Sequence, residues 1–383
     1  MLRKIRLTFA MICFALITLL FLDFTGTLHG WFGWLAKIQF LPAVLALNVG
    51  VILFLVILTL VCGRIYCSVI CPLGVFQDIL AWLGRQPKKR RKLPYSYSPA
   101  LSWLRYGVLG VFIIALIAGI GSLAALLAPY SAYGRIAQTL FSPIYIWCNN
   151  LLAYVSERAG SYAFYEREVW LRALPTLVLA AVTLVVVVIL AWRDGRTYCN
   201  TICPVGTVLG IFSRHALFKP VIDTDKCRNC SLCAKGCKAS CIDYKNHKID
   251  YSRCVACMDC IDNCKHDALH FEMRKKSVAS VTAKAADEQK TDASRRSFLV
   301  GAGVILGTAV AHAQGKTVDG GLAVILDKKI PNRNTPIVPP GAVSLKHLED
   351  HCTGCQLCVA VCPNDVLRPG KLMKPHSSYE RGY

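Results

Sequence analysis

Acidic residues are scarce in this chain of 383 residues: 23 Asp and Glu stand against 44 Lys and Arg, a net charge of +21. Only 17% of the residues are charged and 54% are hydrophobic, a balance that excludes a disordered or fibrous protein. The chain contains no Cys-x2-Cys-His sequence for covalent haem and no nucleotide or flavin fingerprint. Cysteine is abundant, with 20 residues. Because secreted disulfide scaffolds are short and lack long apolar runs, these thiols predict metal or cluster ligation.

Charge-free apolar stretches predict an α-helical integral membrane protein. A helix needs about 20 apolar residues to span a bilayer. Four transmembrane helices are predicted from residues 7–22, 38–63, 106–134 and 173–192, and a fifth from 297–315. None of the nine histidines lies in the first four, so a transmembrane b-type haem would lack ligands. Flanking Lys and Arg predict a cytoplasmic N-terminus and a cytoplasmic segment 193–296, and the basic run 85–92 indicates contact with lipid rather than nucleic acid.

Two segments 132 residues apart share a cysteine-containing frame. Residues 63–74 read Gly-Arg-Ile-Tyr-Cys-Ser-Val-Ile-Cys-Pro-Leu-Gly, and residues 195–206 match them at eight of 12 positions. Two copies in one orientation predict a pseudo-twofold axis along the membrane normal. The frame contains four thiols, which would then meet at the inner membrane surface: Cys67, Cys71, Cys199 and Cys203. They could form a shared redox or metal centre, form redox-active disulfides, or serve only as packing residues. Arg64 and Arg196 are expected to lower the pKa of these thiols.

Two further runs follow, each with the spacing Cys-x2-Cys-x2-Cys-x3-Cys. In this bacterial ferredoxin run the fourth cysteine ligates the other cluster, and zinc sites rarely use two such runs in tandem. Lys238 and Lys265 stand where Pro usually follows, and Cys241 is an alternative to Cys237 as a ligand. The spacing predicts two [4Fe–4S] clusters: cluster one on Cys227, Cys230, Cys233 and Cys264, and cluster two on Cys254, Cys257, Cys260 and Cys237.

The C-terminal part carries one more run, made of Cys352, Cys355, Cys358 and Cys362. A single run supplies three ligands to its own cluster, so the fourth is expected from a partner or from a second run. Residues 294–299, Ser-Arg-Arg-Ser-Phe-Leu, and 311–313, Ala-His-Ala, predict a twin-arginine export signal; a plain fifth transmembrane helix is the alternative. Both interpretations place the C-terminal segment in the periplasm.

The predicted organisation therefore has five parts. Residues 1–220 form the membrane domain with both repeats, and residues 221–276 form a cytoplasmic α+β ferredoxin domain with two [4Fe–4S] clusters. A linker, 277–296, leads to the export signal or fifth helix, 297–313. Residues 314–383 form a periplasmic, ferredoxin-like segment that holds at least one cluster. This segment is incomplete if the second cysteine run is missing from the chain.

Residues 1–275, with two Gly-Arg-x-Tyr-Cys-x3-Cys-Pro-x-Gly motifs and two ferredoxin runs, resemble the NapH-type membrane polyferredoxins, to which NosR and CcoG are related. Residues 294–370 resemble the start of NapG. The resemblance implies a bacterial inner-membrane protein that oxidises quinol and passes electrons to a periplasmic reductase or a further ferredoxin subunit, without haem or flavin. An assembly or maturation factor that reduces or delivers a metal is the alternative. No catalytic residue is predicted.

Overall fold

The computed structural model describes residues 2–23, 27–84, 95–119, 121–158, 174–273, 337–362, 366–370 and 374–378. Nearly all of them belong to one compact unit, formed by Met1–Glu272 together with Lys328–Tyr383. The second unit, Met273–Asp327, lies almost wholly outside the described residues. The predicted linker and the predicted export signal therefore lie outside them as well.

Helices account for most of the described chain. Thirteen helices lie in residues 1–220, the predicted membrane domain. They are α1 (Leu2–Leu22), α2 (Thr27–Phe32), α3 (Trp34–Lys37), α4 (Phe40–Leu45), α5 (Val49–Cys62), α6 (Ile65–Val69), α7 (Pro72–Leu83), α8 (Ser102–Ile117), α9 (Gly121–Leu127), α10 (Pro129–Ile136), α11 (Ser142–Arg158), α12 (Leu174–Asp194) and α13 (Pro204–Ser213), all within the described residues. π-Helical segments occupy Ala137–Phe141 and Tyr198–Ile202. Residues of α1, α6, α7, α10, α12 and α13 contribute to one buried core.

Within the described ranges, two helices are long and apolar enough to cross a membrane, Leu2–Leu22 and Thr176–Asp194. The prediction of four such helices is wrong. Residues 38–63 divide because Leu47 has a φ of 51° and the Asn48 side chain caps α5, whose 14 residues measure about 21 Å. Residues 106–134 divide at Gly119, with a φ of 70°, and at Pro129, which begins α10.

The ferredoxin module follows α13 and combines two short helices with two small sheets. Strand β1 (Phe218–Ile222) pairs with β4 (Leu269–Met273), and β2 (Ile242–Asp243) pairs antiparallel with β3 (Lys248–Ile249). Helices α14 (Leu232–Gly236) and α15 (Asp259–Asn263) each begin inside a cysteine run. This arrangement lets each run start as a loop and finish as a helix that ends at its fourth cysteine.

The C-terminal segment contributes α16 (Leu345–His351), α17 (Leu357–Val361) and an antiparallel pair, β5 (Leu367–Pro369) and β6 (Pro375–Ser377). The Ser344 hydroxyl caps α16 by accepting a hydrogen bond from the backbone N–H of His347. The third cysteine run joins α16 to α17, so it also passes from loop to helix.

Candidate iron–sulfur sites

The three cysteine runs share one backbone conformation. In each, the second and fourth residues after the first cysteine have positive φ. Five of these six residues carry a side chain, for which the left-handed conformation costs roughly 1–2 kcal/mol each. Alternation of right- and left-handed residues turns successive N–H groups toward one point, a concave anion site found at many iron–sulfur clusters. The loops therefore fit [4Fe–4S] clusters; the residues and φ values are Asn229 (52°), Ser231 (61°), Ala256 (49°), Met258 (62°), Gly354 (62°) and Gln356 (63°).

Two cavities in the ferredoxin module bring the cysteines of both runs together. Each cavity draws three cysteines from one run and one from the other, which is the crossed arrangement that the spacing predicts. The first cavity is lined by Cys227, Cys230, Cys233 and Cys264. The second is lined by Cys237, Cys254, Cys257 and Cys260, and also by Cys241. Assignment of these cysteines as cluster ligands remains a prediction.

Cys241 lies between two cysteines of the second cavity. Its side chain is 1% exposed, and its Sγ lies 3.6 Å from Sγ of Cys237. It lines the same cavity as Cys254. The hydrogen bond between the two neighbouring thiols lowers the pKa of Cys237. The second cavity thus contains five thiols, one more than the four iron atoms of a [4Fe–4S] cluster can bind singly.

The two cluster loops differ in exposure. Arg228, Asn229 and Cys230 of the first loop are exposed. The equivalent stretch of the second loop is covered, with Val255 1% and Ala256 4% exposed. The sequence carries the same contrast, since the first loop is polar where the second is apolar. The second cavity therefore faces the membrane domain, and the first faces solvent.

Contacts from both repeats hold the second cavity against the membrane domain. The backbone N–H of Arg196 donates to the carbonyl of Lys238 at 2.9 Å, and Nη1 of Arg64 donates to the carbonyl of Ser252 at 3.1 Å. Nζ of Lys238 lies 3.0 Å from Asp259 and 3.7 Å from Asp78. Lys238, which stands where ferredoxin runs usually have Pro, therefore joins the module to α7.

The four repeat cysteines lie together in the core of the membrane domain. None is more than 4% exposed, and all belong to one buried cluster: Cys67, Cys71, Cys199 and Cys203. Each half of the repeat reaches across to the other. Nη2 of Arg64 donates to the carbonyl of Cys199 at 3.2 Å, and Nη1 of Arg196 donates to the carbonyl of Cys67 at 2.8 Å. This reciprocal pairing relates the two halves by an approximate twofold axis.

The glycines of the repeated frame have structural roles. Gly63 and Gly195 have φ values of 71° and 74°, which let the chain turn at the ends of α5 and α12. A Cβ on Gly74 would lie 2.2 Å from the carbonyl oxygen of Cys67, and one on Gly206 would lie 2.3 Å from that of Cys199. The glycines and arginines of the frame are therefore explained by backbone geometry and packing, whereas the cysteines are not.

Burial controls the protonation of the repeat thiols. It raises the pKa of Cys71, which Cys199 and Cys67 raise further, and it raises the pKa of Cys199 to about 11 although Arg196 and Arg64 act in the opposite direction. The expected lowering of the thiol pKa by the arginines is thus outweighed by burial. In the part of the chain that the structure describes, no three Cys, His, Asp or Glu side chains are grouped for a single metal ion. A shared redox centre remains a prediction.

The third cysteine run lies near the C-terminal end of α1. The Ser131 hydroxyl donates to the carbonyl of Thr353 at 2.6 Å. A Cβ on Gly134 would lie 2.5 Å from the carbonyl oxygen of Cys355 and 2.9 Å from the Phe21 ring. The loop of this run, at Thr353 and Cys355, is therefore packed against α10.

Comparison with known proteins supports an iron–sulfur assignment. A family model described as a 4Fe-4S binding domain matches residues 44–91 and 174–222, which contain the four repeat cysteines, and a second model of the same description matches residues 346–368. Over these residues the chain is similar to 4Fe-4S binding domains, and it is also similar to ferredoxin-type proteins. No solved structure matches it.

The relatives of this chain are distant. It is 27% identical to the ferredoxin-type protein NapH of Haemophilus influenzae, over 51% of this chain and 55% of that protein. Identity to the methylamine utilization ferredoxin-type protein MauN of Paracoccus denitrificans is 26%, over 49% and 53%. Identity to the putative electron transport protein YccM of Escherichia coli is 24%, over 51% and 47%. The chain thus spans about half the length of these relatives, and the predicted NapG-like part remains a prediction.

Sequence reasoning missed the residues that connect the module to the membrane domain. Asp78 lies in α7, and its partners Arg196 and Lys238 are more than 100 residues away. The substitution of Lys238 for the usual Pro was a visible indication, because a charged residue beside a buried cluster loop needs a partner of opposite charge.

Proposed function

We propose that this protein is a membrane polyferredoxin and acts as a quinol dehydrogenase of the bacterial inner membrane, which passes electrons to a periplasmic reductase or to a further ferredoxin subunit. The observation that carries the proposal is the position of the cysteine runs along α1. The cytoplasmic module contacts the first turn of α1, and the C-terminal run lies beside its last turn. At 21 residues, α1 measures about 31 Å, close to the hydrocarbon thickness of a bilayer.

Ion pairs at the N-terminal end of α1 support the inner position of the module. Nε of Arg3 lies 2.9 Å from Asp259, and Nη1 of Arg6 lies 3.4 Å from Asp78. Arginines at the start of a span favour the cytoplasmic side. The N-terminus and the second cluster cavity therefore share one side of the membrane in this proposal.

A chain of aromatic rings follows α1 between its two ends. Tyr130 lies beside the C-terminal run, and its ring centroid is 5.5 Å from that of Phe21. The ring centroid of Phe21 is in turn 6.1 Å from that of Tyr133. Tyr133 lies 5.9 Å from Phe76, and the next residue, Gln77, donates to Sγ of Cys199 at 3.3 Å. In the proposal, this packed core separates the C-terminal run from the four repeat cysteines without an intervening aqueous space.

The difference in loop exposure indicates the order of the two cytoplasmic clusters. Cluster two is the one nearer to the membrane domain, because residues around it lie against both repeats. A Cβ on Gly63 would lie 4.0 Å from Cβ of Ala256, and a Cβ on Gly195 would lie 2.6 Å from the carbonyl oxygen of Lys238. Cluster one is the one farther from the membrane domain. Electrons that enter from quinol in the membrane domain would reach cluster two before cluster one.

Anaerobic EPR spectroscopy of the purified full chain tests the proposal. Ubiquinol and menaquinol analogues are each added, and dithionite is added afterwards to reduce every cluster. We expect at least one quinol to reduce both cytoplasmic clusters. Clusters that dithionite reduces and neither quinol reduces would exclude quinol oxidation and favour the role in metalloenzyme assembly.

Two cysteine variants test the order of the clusters. Cys257→Ser removes a ligand of cluster two, so we expect cluster one to remain reducible by dithionite and no longer by quinol. Cys230→Ser removes the equivalent ligand of cluster one and serves as the matched control, in which quinol still reduces cluster two. Reduction of cluster one by quinol in Cys257→Ser would contradict the order.

A further inference from the structure

The two halves of the ferredoxin module can be compared at Cys241 and at the equivalent position of the other half. Cys237 and Cys264 are the fourth cysteines of the two runs, and the residues four positions later are Cys241 and Ala268. Cys241 lines the second cavity and Ala268 lines the first. Both are almost fully buried, at 1% and 2% exposure. The two halves of the module therefore place a thiol and a methyl group at equivalent positions beside a cluster cavity.

The backbone surroundings of the two positions are also similar. The N–H of Ala268 donates to Sγ of Cys264 at 3.3 Å, and the backbone N–H of Cys241 helps to lower the pKa of the Cys237 thiol. This contact requires no particular side chain, and alanine fills the space in the other half. Packing alone therefore does not account for a thiol at position 241.

We propose that Cys241 is a reserve ligand of cluster two, able to replace Cys237 at its iron corner. The inference rests on the assignment of cluster two to the second cavity. Sγ of Cys241 lies 3.6 Å from Sγ of Cys237, and Cys241 lines the same cavity as Cys237 and Cys254. It is therefore placed beside the corner of the cluster that Cys237 is predicted to bind.

The exchange is balanced in atoms and charge. The Cys237 thiolate leaves iron and accepts the proton of the Cys241 thiol, and the new Cys241 thiolate binds iron in its place. One iron–sulfur bond breaks and one forms, one proton moves between the two sulfur atoms, and no oxidant or reductant is needed. Their existing hydrogen bond gives the proton a direct route. Ala268 offers no such exchange to cluster one.

The test compares the iron and acid-labile sulfide content of full-length variants, together with the EPR spectra of their reduced clusters. We expect Cys237→Ala to retain the iron of the wild type with an altered cluster-two spectrum, whereas Cys264→Ala loses the iron of one cluster, about four atoms per chain. Cys237→Ala with Cys241→Ala should lose the same amount. Cys241→Ala alone should lose none.

A transplant provides an independent variant. Ala268→Cys added to Cys264→Ala should restore the lost iron, because it gives cluster one the same reserve thiol. The inference is overturned if Cys237→Ala loses as much iron as the double variant, or if Cys241→Ala alone loses a cluster. A wild-type module that binds no clusters would instead refute the cluster assignment, so the two failures are distinguishable.

Discussion

Asp78 and Arg196 form a two-point ion pair in the core: Nε donates to Oδ1 at 2.8 Å and Nη2 donates to Oδ2 at 2.7 Å. The other half of the repeat has no counterpart, because the residue equivalent to Asp78 is Gly210. Arg64 is fully buried, and its hydrogen-bond acceptors in the described ranges are neutral, Asn200 at 3.0 Å among them. The twofold frame is therefore symmetric in backbone contacts and asymmetric in charge, because in the described part of the chain Arg196 donates to a carboxylate and Arg64 does not.

Replacement of Asp78 by Asn should destabilise the protein by about 3–5 kcal/mol, because it leaves buried Arg196 without its carboxylate. Thermal unfolding of the detergent-solubilised chain, followed by circular dichroism, measures the effect. Asp225→Asn, at an exposed position of the module, is the control and should change stability by less than about 0.5 kcal/mol. Equal midpoints for the two variants would contradict the structural role of Asp78.

Replacement of Gly206 by Ala should cost about 1–3 kcal/mol, because the new Cβ would overlap the carbonyl oxygen of Cys199, 2.3 Å away. The same holds for Gly74→Ala at the carbonyl of Cys67. Gly107→Ala on α8 is the matched control, since a Cβ there meets no atom within 4 Å. It should leave stability unchanged or raise it by up to about 1 kcal/mol. Similar unfolding midpoints for all three variants would show that α7 and α13 do not approach the cysteine turns this closely.

The repeat cysteines should be needed for electron transfer. In Cys67→Ser with Cys199→Ser, we expect quinol to reduce cluster two much more slowly than in the wild type, while dithionite reduces it normally. Cys13→Ser, on α1 and outside the repeats, should keep the wild-type rate. A rate unchanged in the double variant would identify these cysteines as packing residues.

Alkaline phosphatase fused after Ser344 should be active, because the enzyme folds only on the periplasmic side. A fusion after Asp225 should be inactive, since the module is cytoplasmic in the proposed topology. Arg295→Lys with Arg296→Lys keeps the charge and removes the twin arginines, so it should silence the first fusion. Activity that survives this change would leave a plain fifth transmembrane helix as the explanation.

The sequence predicted local patterns better than it predicted long-range partners. The spacing of the cysteine runs predicted that Cys264 joins the first three cysteines of the other run, and all four line one cavity. The repeat likewise predicted two halves related by a twofold axis. The reciprocal hydrogen bonds of Arg64 to the carbonyl of Cys199 and of Arg196 to the carbonyl of Cys67 have this arrangement. The partnership of Asp78 with Arg196 and Lys238 joins segments far apart in the chain and leaves no periodic trace.

The number of long apolar helices was overestimated because hydropathy ignores backbone constraints. Residues 38–63 carry no charge, yet Asn48 caps a new helix within them. Gly119 and Pro129 likewise interrupt residues 106–134. All three residue types are known helix boundaries, so this information was present in the sequence, and counting apolar residues alone discarded it.

The covered loop at Val255–Ala256 has a consequence for biogenesis. The contacts of Arg64, Arg196 and Lys238 hold this loop against the predicted membrane domain, whereas the loop at Cys230 is exposed. If the two cavities hold clusters as proposed, cluster two would have to be inserted before the module packs against that domain, and cluster one could be inserted or repaired afterwards. Maturation would then be an ordered process, in which the packing of the module marks the step after which only cluster one is replaceable.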